Sequence, residues 1–109
     1  IDSTFYAYED FLDVDDFIIG IPKEYNLSKP YPNPFNPITI INCAIPNTGF
    51  ISIIVYDIMG REIKTIVNRE FQEGSYSFEW TANNQPSGIY FIRMESGGYN
   101  KMQKVILLK

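Results

Sequence analysis

The sequence predicts an all-β fold: an antiparallel β-sandwich of about seven strands behind an extended N-terminal arm. Three observations predict it. Apolar residues recur with period two in a series of short runs, the pattern of strands with one buried face. Clusters of Gly, Pro, Asn, Asp and Ser punctuate those runs every 10 to 13 residues or so, the spacing of a sandwich. No stretch repeats with the 3.6-residue period of a helix. With 109 residues, 45% hydrophobic and 16% aromatic, the chain is long enough for one core and too short for a second domain.

Residues 1–29 read as an acidic, apolar arm or as one or two added strands. Tyr6, Tyr8, Leu12, Val14, Phe17 and Ile19 are its candidate contact residues, with Leu12 and Val14 alternating against Asp13 and Asp15. Residues 30–109 read as the sandwich. It opens on Pro30-Tyr31-Pro32-Asn33-Pro34-Phe35-Asn36-Pro37, whose four prolines remove four backbone donors and predict a stiff extended connector or edge.

The strands follow in order. Residues 38–45 place Thr39, Ile41, Cys43 and Ile45 on one face and stop at Pro46-Asn47-Thr48-Gly49. Residues 50–56 place Ile51, Ile53 and Val55 inward, and Asp57-Ile58-Met59-Gly60 has the Asp-first, Gly-last signature of a type I turn with a left-handed glycine, hence a hairpin. The return strand, 61–67, runs through Ile63 and Ile66. Residues 75–81 alternate most cleanly, with Tyr76, Phe78 and Trp80 inward and Ser75, Ser77, Glu79 and Thr81 in water. After the break Asn83-Asn84-Gln85-Pro86-Ser87-Gly88, residues 89–95 face Tyr90, Ile92 and Met94 inward, and Ser96-Gly97-Gly98 turns into a last strand over 99–108. This order of short strands argues the immunoglobulin-like type of sandwich.

Composition excludes several kinds of chemistry. There is no His, which removes the commonest general base and the Ser/His/Asp and Cys/His nucleophile arrangements. The single Cys43 forms no intrachain disulfide and no Cys₄ or Cys₂His₂ metal site, and its place between Ile41 and Ile45 marks it as a buried, inert hydrophobe. No apolar run approaches the length of a membrane-spanning helix. The chain starts at Ile1 without Met or a signal-like basic stretch and so reads as a mature, processed polypeptide.

Charge is unevenly placed. Residues 1–20 carry six acidic groups and no basic one, whereas residues 21–109 carry nine basic against seven acidic. That surplus is too small and dispersed to track phosphates, so nucleic acid is not an expected partner. Asp13, Asp15 and Asp16 offer the oxygens that calcium prefers, but the rest of a calcium loop is missing and they read as a solvated acidic edge. Scattered carboxylates show no glycosidase pair above background, and the sequon Asn26-Leu27-Ser28 is too short to decide anything. No catalytic residue, metal or cofactor is expected. Carbohydrate or matrix adhesion through surface aromatics stays open.

Five stretches in order carry a resemblance: Tyr31-Pro32-Asn33-Pro34-Phe35-Asn36-Pro37, Thr39-Ile40-Ile41, Val55-Tyr56-Asp57-Ile58-Met59-Gly60-Arg61, Ser87-Gly88-Ile89-Tyr90-Phe91 and Lys104-Val105-Ile106-Leu107-Leu108-Lys109. Over about residues 21–109 the chain resembles the type A C-terminal sorting domain of the type IX secretion system. It is also similar in pattern to the immunoglobulin-like domain of the flagellar hook-cap protein. Cys43 departs from the aromatic residue that the sorting family would place there. The resemblance implies a non-catalytic domain of a secreted protein, recognised by the type IX machinery and directing export and cell-surface attachment. By motif match it implies Gly60, Arg61, Gly88, Tyr90, Lys104 and Lys109 as sorting-signal positions; turn geometry alone would also account for the two glycines.

The arm supports an alternative. A segment this apolar has to lie against something, and the open edge of a neighbouring sandwich would accept it as an added strand. Such a head-to-tail contact propagates, giving a homo-polymer and hence an extracellular filament subunit.

Overall fold

The computed structural model describes residues 21–109, which form seven strands and no helix. In chain order they are β1 (Asn26–Leu27), β2 (Ile38–Ile45), β3 (Gly49–Tyr56), β4 (Glu62–Phe71), β5 (Gly74–Thr81), β6 (Gly88–Ser96) and β7 (Tyr99–Leu107). Every strand pairing is antiparallel, in two sheets ordered β1-β2-β5 and β4-β3-β6-β7. The all-β sandwich is therefore as expected. The arm contacts proposed at Tyr6, Tyr8, Leu12, Val14, Phe17 and Ile19, and the carboxylates Asp13, Asp15 and Asp16, lie outside the described residues.

The period-two pattern translates directly into burial. Ile41, Cys43 and Ile45 of β2, Ile51, Ile53 and Val55 of β3, Tyr90, Ile92 and Met94 of β6, and Val105 and Leu107 of β7 fill the space between the sheets. Thr39, on the same face of β2, is buried too, and its hydroxyl donates to the Pro32 carbonyl at 2.8 Å. On β5 the inward face is Tyr76, Phe78 and Trp80, but only Trp80 is fully enclosed. Tyr76 and Phe78 are half-buried and lean on Phe71, with ring centroids 4.7 and 5.8 Å away.

Three segments refine the expectation: β1 is an added strand of the kind expected from residues 1–29, and the other two differ from what was expected. The return strand β4 reaches Phe71 instead of stopping at 67. Its pairing with β3 shifts where Ile53 faces Val67 and Ile54 faces Thr65, so Ile66 is an additional, bulged residue. The bulge changes the phase of the alternation and hides the buried Val67 and Phe71 from a period-two reading. At this edge Arg69 lies with its guanidinium 3.9 Å from the Phe71 ring centroid, covering apolar surface with a charge. Secondly, β1 is a two-residue strand whose Leu27 is buried in the core. Gln103 Nε2 donates to the Leu27 carbonyl and the Leu27 amide donates to the Tyr99 hydroxyl, closing the side of the sandwich between β2 and β7.

Thirdly, the proline-rich segment bends repeatedly instead of running straight, with cis bonds at Tyr31–Pro32, Asn33–Pro34 and Asn36–Pro37. It is a connector pinned to both sheets. Tyr31 exchanges backbone hydrogen bonds with Ile40 of β2. Phe35 donates its amide to the Ile106 carbonyl and accepts from the Leu108 amide. Asn33 imitates a strand residue with its side chain: Oδ1 accepts from the Ile106 amide and Nδ2 donates to the Lys104 carbonyl. The outer edge of β7 is thereby satisfied along its second half.

Candidate functional site

Strand directions bring distant motifs to one end of the sandwich. The β3–β4 turn, the loop from Ala82 to Ser87 and the chain beyond β7 all emerge there, because β3, β5 and β7 end where β4 and β6 begin. The opposite end carries the β6–β7 turn, beside which Tyr25 stacks on Tyr99 at 5.5 Å.

The turn is built as its sequence suggests. The Gly60 amide donates to the Asp57 carbonyl and the Asp57 amide to the Arg61 carbonyl, both at 2.9 Å. Asp57 Oδ1 accepts from the amides of Met59 and Arg61, and Oδ2 from Arg61 Nε at 2.8 Å. The Arg61 amide above all, helped by the Arg61 guanidinium and the Met59 amide, holds the Asp57 carboxyl below its ordinary range despite some desolvation. Asp57 therefore stabilises the fold at neutral pH, and that contribution disappears as pH falls through its depressed folded-state value. In urea titrations, the advantage of the parent chain over Asp57→Asn should be full above the unfolded carboxylate range near about pH 4 and vanish in stronger acid.

Gly60 has φ +83° and Gly88 φ +156°, and a Cβ built on either meets nothing within 4 Å. Backbone conformation is thus what selects glycine at both positions. Gly60→Val should cost about 1 to 3 kcal/mol, and Gly60→Asn much less, because Asn tolerates the left-handed region; equal unfolding midpoints for the two variants would contradict this.

The other positions knit this end together. Tyr90 is buried and donates its hydroxyl to the Pro86 carbonyl at 2.6 Å; desolvation, and then the nearby Asp57 charge, push its pKa up. Lys109 Nζ donates to the Asn83 carbonyl at 2.6 Å, and its amide to Ser87 Oγ at 2.9 Å. Arg61, Gly88 and Tyr90 border an open cleft of about 450 Å³ with Ile58, Met59 and Pro86. The structure so gathers Gly60, Arg61, Gly88, Tyr90 and Lys109 at one end. Lys104 stands apart, part-way down β7 opposite Phe91. The signal positions taken from the motifs leave out their partners Asp57, Asn83 and Ser87, although the matched stretches contain Asp57 and Ser87; Asp57 also had a local signal, as first residue of the turn.

Nothing in this arrangement assembles a nucleophile with a base. Burial pushes the Cys43 thiol up to about 11, so it stays protonated near neutrality. Among the described residues no group of three or more His, Cys, Asp or Glu could hold a metal ion, and no helix is long and apolar enough to cross a membrane. The site consists of two shaped turns, an open cleft of mixed apolar and polar lining and cations tied to backbone carbonyls or to a carboxylate, which suits a surface that another protein recognises.

Comparison with known proteins agrees with the motif pattern. Residues 29–108 match the family model described as the secretion system C-terminal sorting domain. No curated protein matches the chain.

Proposed function

Because this chain belongs to the secretion system C-terminal sorting domain family of type IX export, we propose that it directs export to the cell surface through the end of the sandwich that carries Gly60, Arg61, Gly88, Tyr90 and Lys109, together with Lys104 on β7. A sorting domain implies recognition by the type IX machinery and an extracellular or cell-surface destination; the family is one of signals and not of catalysts. The observation that carries the assignment of the surface is the convergence of motifs far apart in sequence on one end of the fold, held there by the Asp57 turn and the Lys109 contacts. Gly60, Gly88 and Tyr90 shape that end, while Arg61 and Lys104 present exposed charged side chains.

The test is export of a reporter fused ahead of the full chain in a cell with a working type IX system. The fusion should reach the surface or medium, and Lys104→Glu, which disturbs no buried group, should reduce the exported fraction at unchanged melting midpoint. Export that is independent of the domain would refute the reading of function; full export of Lys104→Glu combined with Arg61→Glu would refute the reading of the surface. The filament alternative has no support: the segment to be exchanged lies outside the described residues, and the family is one of sorting domains.

A further inference from the structure

The end of the sandwich that carries the Asp57 turn also holds a gap in the four-stranded sheet. β3 pairs with β6 only as far as Tyr56 opposite Phe91. Beyond it the chain turns away, with the Asp57 amide donating to the Arg61 carbonyl. β6 already begins at Gly88, so Gly88, Ile89 and Tyr90 pair with β7 on one side and with no strand on the other.

The direction of the Ile89 backbone follows from its partner on β7. That partner, Ile106, donates its amide to Asn33 Oδ1 and accepts from the Phe35 amide, both on the side away from β6. Opposed residues of an antiparallel ladder exchange either both bonds or neither, so Ile89 and Ile106 exchange none. The amide and carbonyl of Ile89 are therefore turned toward the place that β3 has left, into the cleft of about 450 Å³ that the turn and the Gln85–Ser87 stretch border. Neither the turn nor that stretch supplies a backbone partner for them.

Apolar side chains stand over the same opening. Ile58 and Met59, the central residues of the turn, border the cleft and are 68% and 76% exposed. They are held in that position, because Asp57 Oδ1 accepts from the amides of Met59 and Arg61 and so braces the tip in advance of any contact.

We propose that this cleft receives an extended segment of a protein of the type IX machinery, which pairs with Ile89 as a short added strand and lays an apolar side chain against Ile58 and Met59. The proposal rests on the sorting reading of this end of the fold and names the chemistry by which the end is read. One donor and one acceptor turned the same way from a strand residue are met together by one residue of an extended chain. Such main-chain bonds are blind to sequence, so selectivity falls to the side-chain contact with Ile58 and Met59. The cleft is continuous with the surface of Arg61, Gly88 and Tyr90, and that continuity assigns the segment to the export machinery.

Two measurements test the proposal. In the full chain alone, amide exchange should be fast at Ile89 and slow at Phe91, which keeps its partner on β3. A protected Ile89 amide would overturn the proposal, because the gap would then be filled by the chain itself or by a second copy. The second measurement is export of a reporter fused ahead of the full chain in a cell with a working type IX system. Ile58→Ser combined with Met59→Ser should lower the exported fraction about tenfold, the factor that about 1.4 kcal/mol of lost contact gives, at an unchanged melting midpoint. Ile89→Pro, which removes the free donor and no bond of the β6–β7 ladder, should lower export likewise. Phe50→Ser is the control: Phe50 is 58% exposed at the opposite end of β3, and this variant should be exported like the parent. Full export of either cleft variant, or an equal loss in Phe50→Ser, would overturn the proposal and leave the sorting reading standing. Export of the reporter without the domain would strike the sorting reading itself, and the proposal with it.

Discussion

Trp80→Ala lowers the stability of the domain by about 3 to 5 kcal/mol. Trp80 is 2% exposed and sits where three parts of the chain meet: β5 that carries it, the proline-rich connector through Phe35 at 5.3 Å, and β6 through Tyr90 at 5.4 Å. The Tyr90 ring meets it edge-on, at an interplanar angle of 73°, the arrangement that the aromatic quadrupole favours. Truncation leaves a void that these neighbours cannot fill, since each is fixed elsewhere: Tyr90 by its hydroxyl on Pro86, Phe35 by its backbone on β7. At about 4 to 8 °C per kcal/mol for a domain of this size, the melting midpoint should drop by roughly 12 °C or more. Tyr31→Ala is the control, because Tyr31 is 77% exposed and its truncation should stay within about 0.5 kcal/mol. A Trp80→Ala midpoint equal to that of the control would refute the assignment of the core face of β5.

The strands that sequence reveals most clearly are those where one rule operates alone. β2, β3, β5 and β6 alternate without interruption, so the face of Ile41, Ile53, Trp80 and Met94 is legible residue by residue. In β4 a bulge at Ile66 shifts the phase half-way, and Val67 and Phe71 fall out of the pattern although they are core. β1 is too short to have a period at all; only its partners on β2 and β7 make it a strand. The proline-rich segment misleads for a third reason. Proline chemistry predicts stiffness locally, but the path is set by Asn33 and Phe35 bonding to a strand some seventy residues later.

The candidate site divides in the same way. Asp57-Ile58-Met59-Gly60 is a turn for reasons contained in four residues, and it forms as read. That Lys109 is bound to Asn83 and Ser87, or that Arg61 and Tyr90 border one cleft, depends on strand order and so on contacts between distant segments. A motif match finds such positions without giving their geometry. It also ranks Gly60 beside Arg61, although the one shapes the backbone and the other offers a charge.

Phe35→Ala should cost about 3 to 5 kcal/mol, and its coupling to Trp80 separates two accounts of the connector. Phe35 is 2% exposed, its amide donates to the Ile106 carbonyl and its carbonyl accepts from the Leu108 amide. If the ring serves only to fill space against Trp80, the double variant Phe35→Ala/Trp80→Ala loses less than the sum of the single losses, by about 0.5 to 1.5 kcal/mol for the lost aromatic pair. If the ring also clamps the connector onto β7, the single variant does something that Trp80→Ala does not: it frees the Leu108 amide, which donates to the Phe35 carbonyl. The structure favours the clamp, because the Phe35 ring packs on Trp80 while the Phe35 backbone bonds to Ile106 and Leu108 at the end of β7. Hydrogen exchange at Leu108 should accordingly quicken more in Phe35→Ala than in Trp80→Ala at matched global stability. Equal protection would reduce Phe35 to a space-filling residue. Faster exchange would tie the proline-rich motif physically to the end of β7, so that variants altered in residues 30–37 would disturb the proposed sorting surface without touching any residue in it.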